Sequence, residues 1–200
     1  SSGTLVGSDT FTSLTYTYTS ASPSYSSTTA PTAAGTYTIT PSAASGTGSS
    51  NYTITYETAT LTVSATSQST LTLTSTSGTY GTTLKLTTSG GSGTGAVSYS
   101  TSSAGCSITN TDSLTVTGAI TCSVTATKAA DSNYNSASSS ATNVVFATRS
   151  ITITAANKSA TYTGSTVSVS NSYTISSGTL VGSDTFTSLT YTYTSASPSY

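Results

Sequence analysis

The chain has 200 residues, of which 45 are Ser and 51 are Thr, and it carries only four basic and five acidic side chains with no His, Met or Trp. Without His the commonest general base and metal ligand is missing, and five scattered carboxylates leave little material for catalysis or a metal cage, so neither an enzyme nor a bound cofactor is expected. A formal charge of −1 with four cations neither neutralises a phosphate backbone nor holds an anionic membrane. No stretch approaches the roughly 18 consecutive apolar residues of a spanning helix, and no signal-peptide pattern opens the chain, so nucleic acid and membrane insertion are not expected of this segment.

Along the chain, large apolar or aromatic residues alternate with Thr through Leu14-Thr15-Tyr16-Thr17-Tyr18-Thr19, Tyr37-Thr38-Ile39-Thr40 and Tyr52-Thr53-Ile54-Thr55-Tyr56. The pattern resumes in Leu71-Thr72-Leu73-Thr74, Leu84-Lys85-Leu86, Leu114-Thr115-Val116, Ile151-Thr152-Ile153 and Val167-Ser168-Val169. Period two sends one set of side chains to a core and the other to water, the mark of half-buried antiparallel strands. Thr suits the wet face because its β-branch favours extended backbone while its hydroxyl meets solvent. Gly and Ser clusters such as Gly7-Ser8-Asp9, Ala44 through Gly48 and Ser89 through Gly95 separate the runs as turns. Helical spacing is nowhere sustained, and an all-β fold of many short strands is predicted. The same alternation places Tyr16, Tyr18, Tyr37, Tyr52 and Tyr56 in the core with hydroxyls at its rim; the competing reading is a face of exposed aromatics for sugar rings.

Residues 1–25 recur unchanged as residues 176–200, an offset of 175. The chain is therefore one 175-residue period followed by the first 25 residues of the next, and a longer tandem array is expected. Reading across the junction, a run of strands beginning at Arg149-Ser150-Ile151 continues through the duplicated segment and closes at Leu61-Thr62-Val63-Ser64. This divides the chain into 1–64, 65–148 and 149–200, with residues 1–64 expected to pair with the equivalent of 149–175 from a neighbouring copy or chain.

The order Tyr162-Thr163-Gly164, Gly7-Ser8-Asp9-Thr10, Pro31 through Ile39, Asn51-Tyr52-Thr53-Ile54 and Leu61-Thr62-Val63 resembles the MBG (mostly β-grasp) repeats of large bacterial surface proteins, although Thr163 stands where an acidic residue is common. Residues 65–148 resemble the bacterial Ig-like modules that alternate with such repeats, through Thr79-Tyr80-Gly81-Thr82, Gly93 through Tyr99 and Ala126 through Tyr134. The antibody pattern is not met, since there is no Trp and the two cysteines lie 16 apart, too close for the usual inter-sheet bridge. The resemblance implies an Ig-like sandwich and a β-grasp-like module in serial array, outside the cell at a bacterial surface, acting as a filament, stalk or adhesin shaft whose partners are neighbouring copies of the same repeat. The alternative is a module that binds glycans or a cell surface through exposed Tyr.

Cys106 and Cys122 either bridge neighbouring strands or stay as buried free thiols. Metal binding lacks further ligands, redox catalysis lacks a nearby cation, and the extracellular setting that the resemblance implies favours the disulfide. Such a bridge would hold the Cα atoms about 4.4–6.8 Å apart and stabilise by roughly 3 kcal/mol in the chain-entropy model. Asn51-Tyr52-Thr53 and Asn157-Lys158-Ser159 are sequons that make Asn51 and Asn157 candidate glycan acceptors. Lys128, Asn143 and Asp131 supply the residue types of an isopeptide bond, and Asp112 with Asn110 or Asp131 with Asn133 a partial calcium set; in each case an ordinary turn or strand residue is the competing reading.

Overall fold

The computed structural model describes residues 3–167 and 169–194. In chain order the strands are β1 (Ser13–Ala21), β2 (Ser24–Ser27), β3 (Gly35–Ser45), β4 (Ala59–Val63), β5 (Thr72–Leu73), β6 (Ser77–Thr79), β7 (Leu84–Lys85) and β8 (Thr88–Ser89). They continue as β9 (Val97–Thr101), β10 (Cys106–Thr109), β11 (Ser113–Val116), β12 (Thr121–Lys128), β13 (Ala137–Ser138), β14 (Thr142–Ala147), β15 (Thr152–Ala155) and β16 (Tyr173–Ser177). Among the described residues the one helical piece is a single 3-10 turn, Ser49–Asn51. The fold is all-β, built of several small sheets, as the alternation predicts. Its contacts gather into two compact units: Ser1–Thr72 with Ser89–Ser98 and Ala126–Ser139, and Leu73–Thr88 with Tyr99–Thr125 and Ser140–Tyr200.

The first unit is built on a four-stranded antiparallel sheet in the order β2-β1-β3-β4. β1 and β3 pair from Thr15 opposite Ser42 to Thr19 opposite Thr38, after a register shift near Ser13, and β4 lies on the other side of β3 with Leu61 opposite Tyr37. Tyr37 is buried. Its ring meets that of Tyr25 edge-on with centroids 5.6 Å apart, and its hydroxyl donates to the Ala33 carbonyl at 2.8 Å. Leu71, Ala126 and Ser139 are also buried. The Ser139 hydroxyl accepts from the Ala126 amide at 3.0 Å while the Ser139 amide donates to the Ala126 carbonyl at 2.8 Å, so this buried polar residue is satisfied.

In the second unit, β10 and β11 form a hairpin that takes β7 as its third strand. The Thr121–Val124 part of β12 pairs antiparallel with β14, which pairs in parallel with β6. Burial follows period two: Cys122 and Val124 on β12 and Val144 and Phe146 on β14 are buried, and the residues between them face outward. Leu73, Leu86 and Leu114 are buried in the same unit. Phe146 sits opposite Gly78, where a Cβ would stand 2.6 Å from its ring, so glycine makes room for the aromatic side chain. β15 and β16 form a separate antiparallel hairpin.

The outward hydroxyls pair across the strands. Thr74 and Thr87 meet at 2.6 Å, Ser13 and Ser45 at 2.5 Å, Thr127 and Ser138 at 2.9 Å, and Thr154 and Ser176 at 2.8 Å. Each group is both donor and acceptor, so neighbours satisfy one another without charge. One expected strand is not found. Tyr52 to Tyr56 runs outside any ladder and is tied to other segments through its side chains: Tyr52 accepts from the Val6 amide and Tyr56 from the Ala44 amide at 2.8 Å. The Val167-Ser168-Val169 run centres on Ser168, which lies outside the described residues, and neither valine belongs to a strand.

Candidate functional site

The duplicated segment gives the molecule an internal comparison, since one sequence is seen in two surroundings. In the first copy the turn Val6-Gly7-Ser8-Asp9 closes through the Asp9 amide on the Val6 carbonyl at 3.1 Å, with Gly7 at φ 60°. In the second, Asp184 closes on Val181 at 3.0 Å with Gly182 at φ 56°. The turn is thus a local property of its sequence, and its positive φ is one that glycine adopts without strain.

What the turn binds differs. Tyr52 bridges the first turn, accepting from the Val6 amide at 2.6 Å and donating to Asp9 Oδ2 at 2.9 Å. The Phe11 ring lies 6.1 Å from the ring of Tyr52. Gly48, at φ 75°, leaves the space that the Asp9 carboxylate occupies. In the second copy the Tyr80 hydroxyl donates to Asp184, Arg149 donates to the Thr179 hydroxyl at 3.1 Å, and Val181 packs where Gly81 has no side chain. Phe186, the duplicate of Phe11, turns its edge to Tyr173 at 6.2 Å. Val6 is accordingly 72% exposed while its duplicate Val181 is half-buried.

The hydrogen bond to Asp184, then desolvation and the carboxylate charge, raise Tyr80 above its ordinary value of 10.0. A raised value favours the neutral phenol in the folded state, so the contribution is fully present below pH 10 and is lost as pH rises through the raised value. In an alkaline titration followed by NMR of labelled tyrosine, Tyr80 is expected to ionise later than in the Asp184→Asn variant. Equal midpoints would remove the contact.

The expectation that five tyrosines form core is corrected for two of them. Tyr37 is buried, and Tyr18 and Tyr52 are half-buried. Tyr16, at 45% exposure, and Tyr56 are exposed: Tyr16 lies opposite Pro41, toward the end of the sheet away from the buried Tyr37, and Tyr56 belongs to no strand. A groove there is lined by Phe11, Leu14, Pro41, Ala44, Ile54 and Tyr56.

A second cluster is structural. Asp131 Oδ2 accepts from the amide and hydroxyl of Thr94 at 2.6 and 3.2 Å, and Oδ1 from the amides of Asn133 and Tyr134, both at 2.9 Å. Gln68 donates to the carbonyls of Ala129 and Asn135 and accepts from Gly93, and the Asn133 carboxamide oxygen accepts from the Ala34 amide at 2.9 Å. Both carboxylate oxygens of Asp131 are therefore committed to N–H and O–H donors. Among the described residues no three of His, Cys, Asp and Glu lie together. Lys128 donates to the Gly91 carbonyl at 3.3 Å, Asn143 is an exposed residue of β14, and the Asp112 carboxylate meets Lys85 at 3.7 Å on the surface.

The amides of Thr94, then Asn133, hold the Asp131 carboxyl below its ordinary value of 3.8. The clip is therefore at full strength above that value and weakens as pH falls through the depressed one. Hydrogen-exchange protection factors at Thr94, Asn133 and Tyr134, in which the intrinsic pH dependence of amide exchange is divided out, are expected to fall on acidification in the native chain. In Asp131→Asn, which accepts through one oxygen alone, protection should be low and flat with pH; an unchanged acid response in that variant would contradict the clip.

Cys106 and Cys122 are joined as a disulfide with Cα atoms 6.0 Å apart. It departs from the expected bridge between neighbouring strands: Cys106 opens β10 and Cys122 lies in β12, which belong to different sheets. The 16-residue spacing suffices because a tight hairpin, β10–β11, returns the chain and residues 117–120 carry it across. Asn51 ends the 3-10 turn and is exposed, and Asn157 is exposed after β15.

These features define an all-β protein of several small sheets, held by hydroxyl ladders, one disulfide and polar clips. The family model for the MBG domain (YGX type) matches residues 1–62. No curated protein and no solved structure matches the chain.

Proposed function

We propose that the chain is a structural repeat segment of an extracellular surface filament, stalk or adhesin shaft, in which MBG modules alternate with Ig-like modules formed by residues 65–148. The observation that carries this reading is the duplicated segment of 25 residues: its second copy follows the first period directly and is anchored on the preceding residues through Tyr80, Gly81 and Arg149. Modules that abut in this way extend reach by nearest-neighbour contacts and need no catalytic group. The disulfide and the MBG match at residues 1–62 support a setting outside the cell. Asn51 and Asn157 would carry glycans that shield flat, uncharged strand edges from one another.

Antibodies raised against this segment test the reading by immunogold labelling of intact cells that make it. Label spaced along surface fibres is expected; label confined to the cell interior would overturn it. A second reading, glycan binding, is favoured by the exposure of Tyr162 at 91% and Tyr193 at 67%. Glycan-array binding lost in Tyr162→Ala and Tyr193→Ala would establish it.

A further inference from the structure

The loop of residues 129–135 reaches both sides of the proposed junction between residues 1–64 and 65–148, inside the first compact unit. Toward the first module, the Asn133 carboxamide oxygen accepts from the Ala34 amide at 2.9 Å. Ala34 is itself fixed to the core of the β1–β4 sheet, because the carbonyl of its neighbour Ala33 accepts from the buried Tyr37. The connecting residues are tied to the same loop. The Thr66 amide donates to the Asn133 carbonyl at 3.0 Å, the Asn135 amide to the Thr66 carbonyl at 2.8 Å, and Gln68 to the carbonyls of Ala129 and Asn135. Modules joined by a short connection move relative to one another unless contacts of this kind hold them.

Asp131 sets the shape of that loop. Its Oδ1 accepts from the amides of Asn133 and Tyr134 and its Oδ2 from Thr94, so the carboxylate holds the backbone from which the Asn133 side chain reaches Ala34 and the Asn133 carbonyl meets Thr66. Hydrogen bonds to a charged acceptor are the stronger ones, and they weaken when the charge is lost. Residues 89–95, 64–68 and 32–34, which pack on the loop, carry no charged or titratable side chain. On residues 126–135 the other such groups are Lys128, which donates to the Gly91 carbonyl, and Tyr134. Both keep their protons in acid, so at this junction acid changes the charge of Asp131.

We propose that the Asp131 loop is an acid-released latch on the joint between the two modules: the ionised carboxylate holds residues 1–64 against residues 65–148, and its protonation frees the Asn133 tie and the connecting residues together, turning a stiff shaft into a jointed one. The sign follows from the carboxyl, which lies below its ordinary value of 3.8. The latch is closed above that value and opens as pH falls through the depressed one. A local charge change thereby biases a larger rearrangement. The latch rests on the serial-module reading above.

Ala34 supplies the readout, since its amide bonds across the joint to a side chain that does not titrate. In the full chain, hydrogen-exchange protection factors at Ala34 and Thr66 should fall about fivefold on acidification, in step with Thr94, while the amides of the β1–β3 ladder keep theirs. In Asp131→Asn, Ala34 should be weakly protected at every pH. In Asn133→Ala, Ala34 should lose protection at neutral pH while Thr94 keeps its acid response. Spin labels on Ser26→Cys and Ser98→Cys, exposed positions of β2 and β9, read the joint itself, because the native cysteines are paired as a disulfide. Their distance distribution should be narrow at neutral pH, broad in acid, and broad throughout in Asp131→Asn. Protection at Ala34 that stays constant while Thr94 loses its own, a distribution that stays narrow in acid, or loss of the β1–β3 ladder together with Ala34 would overturn the latch. Each of these leaves the shaft reading intact, which fails separately if the immunogold label is not on surface fibres.

Discussion

Replacing Phe146 by alanine is expected to destabilise the protein by about 3–5 kcal/mol, the range for deleting a buried phenylalanine. Phe146 is buried on β14, and its ring covers Gly78 of the parallel strand β6. The space it leaves has no flexible side chain opposite to fill it. Val145, the next residue, is 50% exposed on the other side of the same strand, and Val145→Ala should change stability by no more than about 0.5 kcal/mol. Denaturant midpoints of the two variants check both figures. Equal losses would mean that β14 is not buried on one face as described.

Reduction of the Cys106–Cys122 disulfide is expected to cost roughly 3 kcal/mol, because the cross-link closes a loop of about 16 residues in the unfolded chain. The bridge ties the β10–β11–β7 sheet to the sheet of β12 and β14, so the loss should appear in a cooperative transition rather than in local fraying. The Cys106→Ala/Cys122→Ala variant should melt like the reduced native chain. A denaturant midpoint indifferent to reductant, in a chain shown by mass to be reduced, would contradict this role.

Alternating runs were legible in the sequence as strands: β1, β3, β11 and β15 overlap the expected runs, and in β3 burial follows the alternation. The run from Tyr52 to Tyr56 has the same period and is not a strand. Period two reports which residues are able to form a ladder, and here side-chain hydroxyl bonds from Tyr52 and Tyr56 to other segments hold the chain instead. The cysteines were legible as a pair, but the crossing between sheets was not, since sequence spacing says nothing of a hairpin folded back within it. Tyr16 and Tyr56 read as core because alternation does not say how far along a strand the inner face is covered, nor whether an alternating run joins a ladder. The Gln68 and Asp131 clip left no periodic signal at all: it joins short polar side chains to backbone groups far along the chain. The docking turn did leave one, since Val6 to Asp9 lies inside the duplicated segment.

The proposed serial arrangement implies a length. The strands β1 and β3 have 9 and 11 residues, and a strand of about ten residues at about 3.3 Å per residue spans roughly 33 Å, so two abutted modules advance about 70–85 Å per 175-residue period. Cryo-electron microscopy of several tandem copies measures that advance directly. The account predicts a stiff rod with an axial repeat in this range, whereas beads on flexible tethers, or a repeat far below about 60 Å, would contradict it.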